Sequence, residues 1–515
     1  MQDRRELERY ARATWRSFVA LVEPSSGLPA DYIGGDLRPE TRAEYTSPTN
    51  VAMYLWAIVG ARDLGLISEQ QATRRATQVL HSLAQLERHA ASGQFYNWYD
   101  PATLTKLTRW PEPPHAPVYP FASSVDNGWL ASALLLLANA VPALREQAAE
   151  LAHSMNFRSY YDARAKGTGP GLLRGGFWSE AAAPPGSDSL PRGDYSQLGE
   201  TVVYTAHHYG AFNTEPRITS YVAIALGQLP PEHYFAPWRA FPDTRRWTQM
   251  AQPVGEWRSY RGVDVFEGAY QIGDQRIVPS WGGSMFEALM PTLVVPEALW
   301  GARSWARTHP SYVAAQIAFG LDEARYGYWG FSPACAPEGG YREYGVPALG
   351  MEPSGYAADA GRRTLFAGAC EPGLREARGQ PHLREARGPS GLREARGQFH
   401  LREARDYGEG VVTPHAAFLA LAFAPSATLA NLAALRRDFP GVYGPGGFKD
   451  SVNVATGRVA DRYLALDQGM VLAALTNHLR ADRLQGYLAP VLQPTLEPLM
   501  AMEEFGVLTN EQSFP

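Results

Sequence analysis

Hydrophobic and polar positions along this chain follow two rhythms. Inside segments the apolar spacing is helical, and between segments two kinds of helix take turns. The pattern predicts helices over 3–22, 46–66, 68–89, 124–139, 142–164, 214–228, 283–294, 297–319, 412–423, 425–438, 463–479 and 481–489. Ser68 with Gln71 reads as a capping box opening the third of them. Segments 50–60, 128–139, 216–227, 412–423 and 464–475 are apolar almost all round. Segments 3–22, 68–91, 142–153, 303–319, 425–438 and 480–489 are amphipathic and charged. A helix apolar on every side is buried on every side, whereas an amphipathic one faces water. Alternating the two along one chain predicts a mainly α fold, an (α/α)6 barrel with an inner ring wrapped by an outer one. Between 230 and 280, loops and short strands ("VDVFEGAYQI") stand where an outer helix is due.

The inner helices start after polar, glycine-rich loops: "TSPTN" at 46–50, "SSVDNG" at 123–128, "GAFNTEP" at 210–216, "SWGGSMFE" at 280–287, "GEGVVTPH" at 408–415 and "RYLALDQG" at 462–469. Parallel inner helices would gather these loops at one end of the ring, as a funnel. Residues 373–405 break the pattern with a nine-residue repeat, "GLREARGQP" and its variants, too short for a solenoid unit. We read 1–371 and 406–506 as one catalytic barrel, 372–405 as a low-complexity surface insertion and 507–515 as a tail. The basic character of the repeat leaves an acidic partner as its alternative role.

Composition narrows the function. A 45% hydrophobic, 19% charged chain of 515 residues folds into a globule. Net charge of −5 argues against nucleic acid, and no apolar run reaches the length of a membrane span. The N-terminus reads as an amphipathic helix rather than a signal peptide. A cytoplasmic protein fits that, as does an exported one whose signal has been removed. Cys335 and Cys370 are too few for a disulfide framework; one bridge and two free thiols are both open. Aromatic residues crowd the loops, as in "FYNWYD", "RGGFWSE" and "YGYWGFSP". Such surfaces suit an oligo- or polysaccharide, though they also fill irregular cores.

Glycoside cleavage needs two carboxyl groups, an acid for the leaving oxygen and a second group that activates water or attacks the sugar. Glu215, entering an apolar helix among tyrosines, suits the acid; helix capping with Thr214, or pairing with Arg217, is its plain structural alternative. Asp126 heads another inner helix, with an N-cap role as its alternative. Asp461, expected to pair with Arg462 or Arg458, and Asp467 are further carboxylates for the second role. Candidates for binding substrate are Tyr99, Asn127, Trp129, His207, Tyr209, Trp281, Glu287, Trp329, Glu338, Tyr341, His415 and Asp450. Glu287 reads equally as a buried hydrogen-bond anchor. Adjacent His207 and His208 diverge and do not share a metal with His415, so no metal and no cofactor is expected. Structural calcium on loop oxygens is the one ion left open.

The pieces "TSPTNVAMYLWAIVGARDLGLI", "SSVDNGWLASALLLL", "NTEPRITSYVAIALGQLPPEHYF", "SWGGSMFEALMP", "YGYWGFSPAC", "VVTPHAAFLAL" and "YLALDQGMV" resemble the glycoamylase-like superfamily. That superfamily includes bacterial endo-β-1,2-glucanases and the cyclisation domain of cyclic β-1,2-glucan synthases. The resemblance implies an (α/α)6 barrel and a general acid at Glu215, in "TEPRI" where the synthase domains have "SEARL". It also places Asp126 of "VDNGW" in the substrate cleft. It departs at Pro333 in "WGFSPAC", where the synthase domains carry a nucleophilic glutamate, and Glu338 close behind is a weaker substitute. An inverting hydrolase of β-linked glucan, β-1,2 favoured, is therefore expected. A retaining transglycosylase, a polysaccharide lyase using His207 or His208 with Tyr204 or Tyr209 and Arg217, and a non-catalytic carbohydrate-binding protein are the alternatives.

Overall fold

The computed structural model describes residues 2–166, 169–242, 251–351 and 410–506. The repeat at 373–405 and the 507–515 tail lie outside the described residues. The described chain is mainly helical: α1 Gln2–Leu21, α2 Pro48–Asp63, α3 Glu69–Gln85, α4 Ser124–Ala140, α5 Arg145–His153, α6 Arg217–Ala225, α7 Met285–Leu289, α8 Glu297–Trp300, α9 Trp305–Ala318, α10 Pro414–Leu419, α11 Pro425–Asp438, α12 Ala465–Leu479 and α13 Arg483–Met502. Side chains of α2 are buried continuously from Pro48 to Ala61 and those of α12 from Ala465 to Asn477, as their uniform hydrophobicity requires.

Hydrogen bonds, and between α10 and α12 a close side-chain approach, link the starts of α2, α4, α6, α7, α10 and α12 in turn around one rim. Thr49 of α2 donates to Asp126 of α4, and Trp129 of α4 donates to Glu215 just before α6. Arg217 of α6 donates to the carbonyls of Glu287 and Ala288 in α7. Met285 N–H of α7 bonds Phe331 O, while Thr413 N–H at the head of α10 bonds the adjacent Gly330 O. His415 of α10 faces Asp467 of α12. The circuit returns to α2 through Asp31, whose carbonyl takes the Ala465 N–H and whose carboxylate takes the Asn50 amide. Close approach in the ring needs small residues. A Cβ on Gly128 would sit 2.0 Å from Thr219 Oγ1, and one on Gly469 would sit 2.4 Å from Met53 Cβ. Helices α1, α3, α5, α9 and α11 pack outside. Two hairpins, Trp257–Tyr260 with Val263–Phe266 and Tyr270–Ile272 with Gln275–Ile277, occupy the remaining outer place, where the sequence read short strands.

Four helices depart from the sequence reading. The predicted 142–164 helix stops at His153, because Asn156 accepts the Arg158 N–H and turns the chain into the strand Tyr161–Lys166. The 297–319 helix breaks into α8 and α9 at Gly301, where a Cβ would meet Ser304 Oγ at 2.5 Å. Pro291 confines α7 to five residues, followed by a 3-10 turn. The largest error is at 481–489. Helix α13 runs on to Met502 through Pro490, Pro494 and Pro498. Those prolines share one exposed face, while Leu484, Leu488, Leu492 and Leu496 are wholly buried on another. Burying that leucine stripe outweighs three missing N–H groups. α13 also lies across the end opposite the rim: Tyr487 accepts from Arg62 at the end of α2, its carbonyl takes Asn139 near the end of α4, and Gln485 reaches Thr292 O. It closes the ring's far end instead of joining the outer layer.

Some buried groups make stability sensitive to acid. His233 is buried, with Nε2 2.9 Å from Ser220 Oγ and Nδ1 3.2 Å from Gly171 O. Burial lowers its pKa from the ordinary 6.5 to about 4. Unfolded chains bind this proton below about pH 6.5 and the folded protein only near 4, so its contribution is complete above 6.5 and lost as pH falls towards 4. At about 1.4 kcal/mol per pKa unit the loss reaches roughly 3 kcal/mol. Denaturant titrations at pH 7 and pH 4.5 should show this fall in the wild type and a smaller one in His233→Gln. An equal fall in both proteins would assign the acid sensitivity elsewhere.

Candidate active site

Glu215 lies at the turn before α6, half-buried at the rim. Its Oε2 accepts the Trp129 indole N–H at 3.2 Å. Neither structural alternative survives in its simple form. The helix begins at Arg217 with Pro216 at the N-cap and no side-chain cap, so Thr214 does not cap it. Arg217 uses all five N–H donors elsewhere: two on Glu297, at 2.7 and 2.9 Å, and three on the carbonyls of Thr214, Glu287 and Ala288. Arg217 thus anchors Thr214, the residue just ahead of Glu215, and spends its donors there and on α7 and Glu297.

Asp126 stands one turn before Trp129 on α4, and three-residue spacing puts both on one helix face. Thr49 Oγ1 donates to its Oδ1 at 2.5 Å. The N-cap of α4 is Ser123, which receives the Asp126 N–H, so Asp126 itself is not the cap. Burial raises the Asp126 carboxyl above the ordinary value, against the lowering effect of Thr49 and Ser123. Behind both acids, Trp129 meets Trp56 edge-on at 5.5 Å, forming an aromatic wall inside the ring.

A second group gathers across the rim. His415, Asp450 and Asp467 are all buried, with one ligand atom from each lying within 4.8 Å of the others. Asp450 Oδ2 accepts the Cys335 N–H, tying the loop that carries Pro333 to this group. Burial raises the carboxyls of both aspartates, and for Asp467 the neighbouring Asp450 and Asp31 push in the same direction. Burial lowers His415 to about 3, so it is neutral. Asp31, with burial raising it to about 7, is close by.

Other candidates are placed apart from these acids or committed to the scaffold. Asp461 is exposed and pairs with Lys449 at 2.6 Å, not with Arg462 or Arg458. Glu338 is exposed at a hairpin turn, 4.0 Å from Arg458. Glu287 closes a capping box with Ser284 and accepts from Ser280 and the Gly282 N–H, which is the anchor role. Asn127 is consumed by Phe95 and Ser123, Tyr99 by Glu87 O and the Tyr96 N–H, and the Trp329 backbone by Asn431. His207 stacks edge-on with Tyr209 at 5.6 Å, while His208 turns to Asp162. Trp281 packs with Trp238 on a small cluster of Ala211, Phe241 and Met351, and Tyr341 packs beside Cys335. Cys335 is in a disulfide, so it is not a free thiol; Cys370 lies outside the described residues.

Residues 251–488 match a family model described as "Putative glucoamylase", and residues 9–167 match a family of unknown function. The resemblance to the glycoamylase-like superfamily holds. The chain is 23% identical to the cyclic β-(1,2)-glucan synthase NdvB of Rhizobium meliloti, over 92% of this chain and 18% of the synthase. It thus spans under a fifth of that curated relative. Among solved structures it resembles the endo-β-1,2-glucanase of Chitinophaga pinensis, with TM-score 0.61, 15% identity, and 96% and 98% of the two chains covered. The endo-β-1,2-glucanase of Talaromyces funiculosus is similar at TM-score 0.62 and 11% identity, with 98% and 94% covered. At such identities the likeness establishes a shared fold across nearly the whole chain. No helix among the described residues is long and apolar enough to cross a membrane.

Sequence reasoning missed Thr49, Trp56, Asp31 and Asn50. Asp31 lies in a loop and Asn50 in the first turn of α2, and only the tertiary ring brings them together. The one available signal was the polar "TSPTN" loop, which contributes both Thr49 and Asn50.

Proposed function

We propose that this protein is an inverting glycoside hydrolase of β-linked glucan, β-1,2-glucan by preference, built on an (α/α)6 barrel. One observation carries the reading: Glu215 sits at the open rim held by an indole N–H, neither capping its helix nor paired with Arg217. Glu215 protonates the departing glycosidic oxygen. Asp126, on the same face of α4 as Trp129, takes the proton of the attacking water. Its raised pKa makes it a stronger base than an ordinary aspartate. Family membership of the relatives named above supports the substrate class.

Two of the alternatives are less well supplied with residues. A retaining enzyme needs a nucleophile near the position of Pro333, and Glu338 is exposed and beside Arg458. The lyase reading relied on Arg217 to neutralise a uronate, but that guanidinium is buried and fully bonded.

Digestion of β-1,2-glucan followed by proton NMR within minutes should show the product with inverted anomeric configuration. Asp126→Asn should lower turnover by roughly 10²- to 10⁴-fold with the fold intact. Retained configuration would overturn the water mechanism, and a product absorbing near 235 nm would favour a lyase.

A further inference from the structure

Two aspartates and a histidine lie buried together across the rim from Glu215, and the proposed hydrolysis does not use them. Asp450 is 2% exposed, Asp467 1% and His415 3%. Among the described residues, neither ring nitrogen of His415 has a hydrogen-bond partner. No donor from another described residue reaches either carboxylate oxygen of Asp467, Asp450 Oδ1 or Asp31 Oδ2; besides the Cys335 N–H on Asp450 Oδ2, the Asp450 and Asp467 carboxyls have only each other. Buried polar groups are almost always satisfied, and leaving several unmet in one place costs on the order of 1–3 kcal/mol each. A cation between them would meet the groups that remain.

His415 Nδ1 is 3.7 Å from Asp467 Oδ2 and 4.0 Å from Asp450 Oδ1, too far for direct hydrogen bonds. A cation held at roughly 2.0–2.2 Å by nitrogen and oxygen donors separates neighbouring donors by about 3–4 Å. The two His415 distances already lie close to that range. The nearest guanidinium, Arg462, stacks on the Tyr32 ring at 4.2 Å.

We infer that His415, Asp450 and Asp467 form a binding site for one divalent transition-metal cation, of the zinc or manganese type. One imidazole with two carboxylates is a mixed nitrogen–oxygen set that suits these ions better than calcium or magnesium. The three ligands come from three elements: α10, the loop after the strand Gly447–Phe448, and the first turn of α12. The ion would pin them together and, through the Cys335 N–H on Asp450, hold the Pro333 loop against the rim. Its role is structural, so it stands apart from the proposed water-activating step. The proposed ligands are separated by 35 and 17 positions, so no local spacing in the sequence marks them as a set.

Untagged full-length protein, stripped by chelator and dialysed, is incubated with Zn²⁺ or Mn²⁺, desalted and analysed by elemental mass spectrometry. About one equivalent should remain. The spin-echo spectrum of the Mn²⁺-loaded protein should show nitrogen modulation from one imidazole. Asp467→Asn and His415→Gln should each weaken binding by at least about 100-fold, as expected for loss of a direct ligand. Less than a tenth of an equivalent with either metal, or undiminished stoichiometric binding in both variants, overturns the site. The wild-type measurement stands even if a variant fails to fold, and none of the readouts depends on glucan cleavage.

Discussion

Glu215→Gln is expected to lower turnover of β-1,2-glucan by roughly 10²- to 10⁴-fold, the usual contribution of a general acid. The amide keeps an oxygen for the Trp129 indole, and the turn before α6 is fixed independently by Arg217 on Thr214 O. Folding should therefore be unchanged. What is lost is the proton delivered to the leaving oxygen. That predicts a second result, with an aryl β-glucoside accepted by the wild type as the probe. An aryl leaving group of low pKa departs without protonation, so the variant's deficit should shrink sharply on such a substrate. A deficit of equal size on both substrates would mean that Glu215 holds the sugar rather than protonating it. Near-wild-type activity on the glucan would remove it from the chemistry.

Much of the scaffold could be read along the chain, for a definite reason. A helix buried on all sides has no polar face to conceal, so α2, α4 and α12 stand out as apolar runs. The missing outer helix was equally plain, because "VDVFEGAYQI" has strand alternation. α13 was misread because proline is a strong local stop, while the leucine stripe that outweighs it acts only through burial against the ring. Site residues divide on the same line. Glu215 and Asp126 were visible as carboxylates at the heads of apolar helices, where helix capping was the competing explanation. Asp461 looked equivalent, yet it lies before the strand Arg462–Leu464 rather than inside the helix, and the extended backbone there carries it out to Lys449. Asp467, three residues past that strand, falls in the first turn of α12 and points inward. A difference of six residues thus decides between solvent and core. His415, Asp450 and Asp467 were each visible as polar candidates, but not as one cluster, since their proximity follows from ring closure and from no local spacing.

Arg217→Met is expected to be the most damaging single change to stability. Glu297 is 1% exposed and receives Arg217, Tyr221 and His309 together, at 2.7–3.0 Å. Burial alone would raise its carboxyl, but the Arg217 guanidinium overrides burial and holds it at about 2. A methionine fills much of the same volume but leaves the carboxylate buried with only a hydroxyl and a neutral ring. Breaking a buried pair from one side costs about 3–5 kcal/mol. Carbonyls of Thr214, Glu287 and Ala288 would lose their donors too, loosening α6 from α7. The pH dependence identifies the cause. With Arg217 present, the carboxylate contributes stability above its unfolded pKa near 4.5, and that contribution fades as pH falls towards 2. Without Arg217 the carboxyl takes up a proton far more readily, so acid relieves the variant while it penalises the wild type. Denaturant titrations should therefore show the gap between the two proteins largest at pH 7 and narrowed at pH 4. Arg217→Met combined with Glu297→Gln should recover part of the loss at pH 7, since no unpaired charge remains. A gap that stays constant with pH, and a double variant no better than the single one, would assign the damage to lost carbonyl contacts and packing instead of the stranded carboxylate.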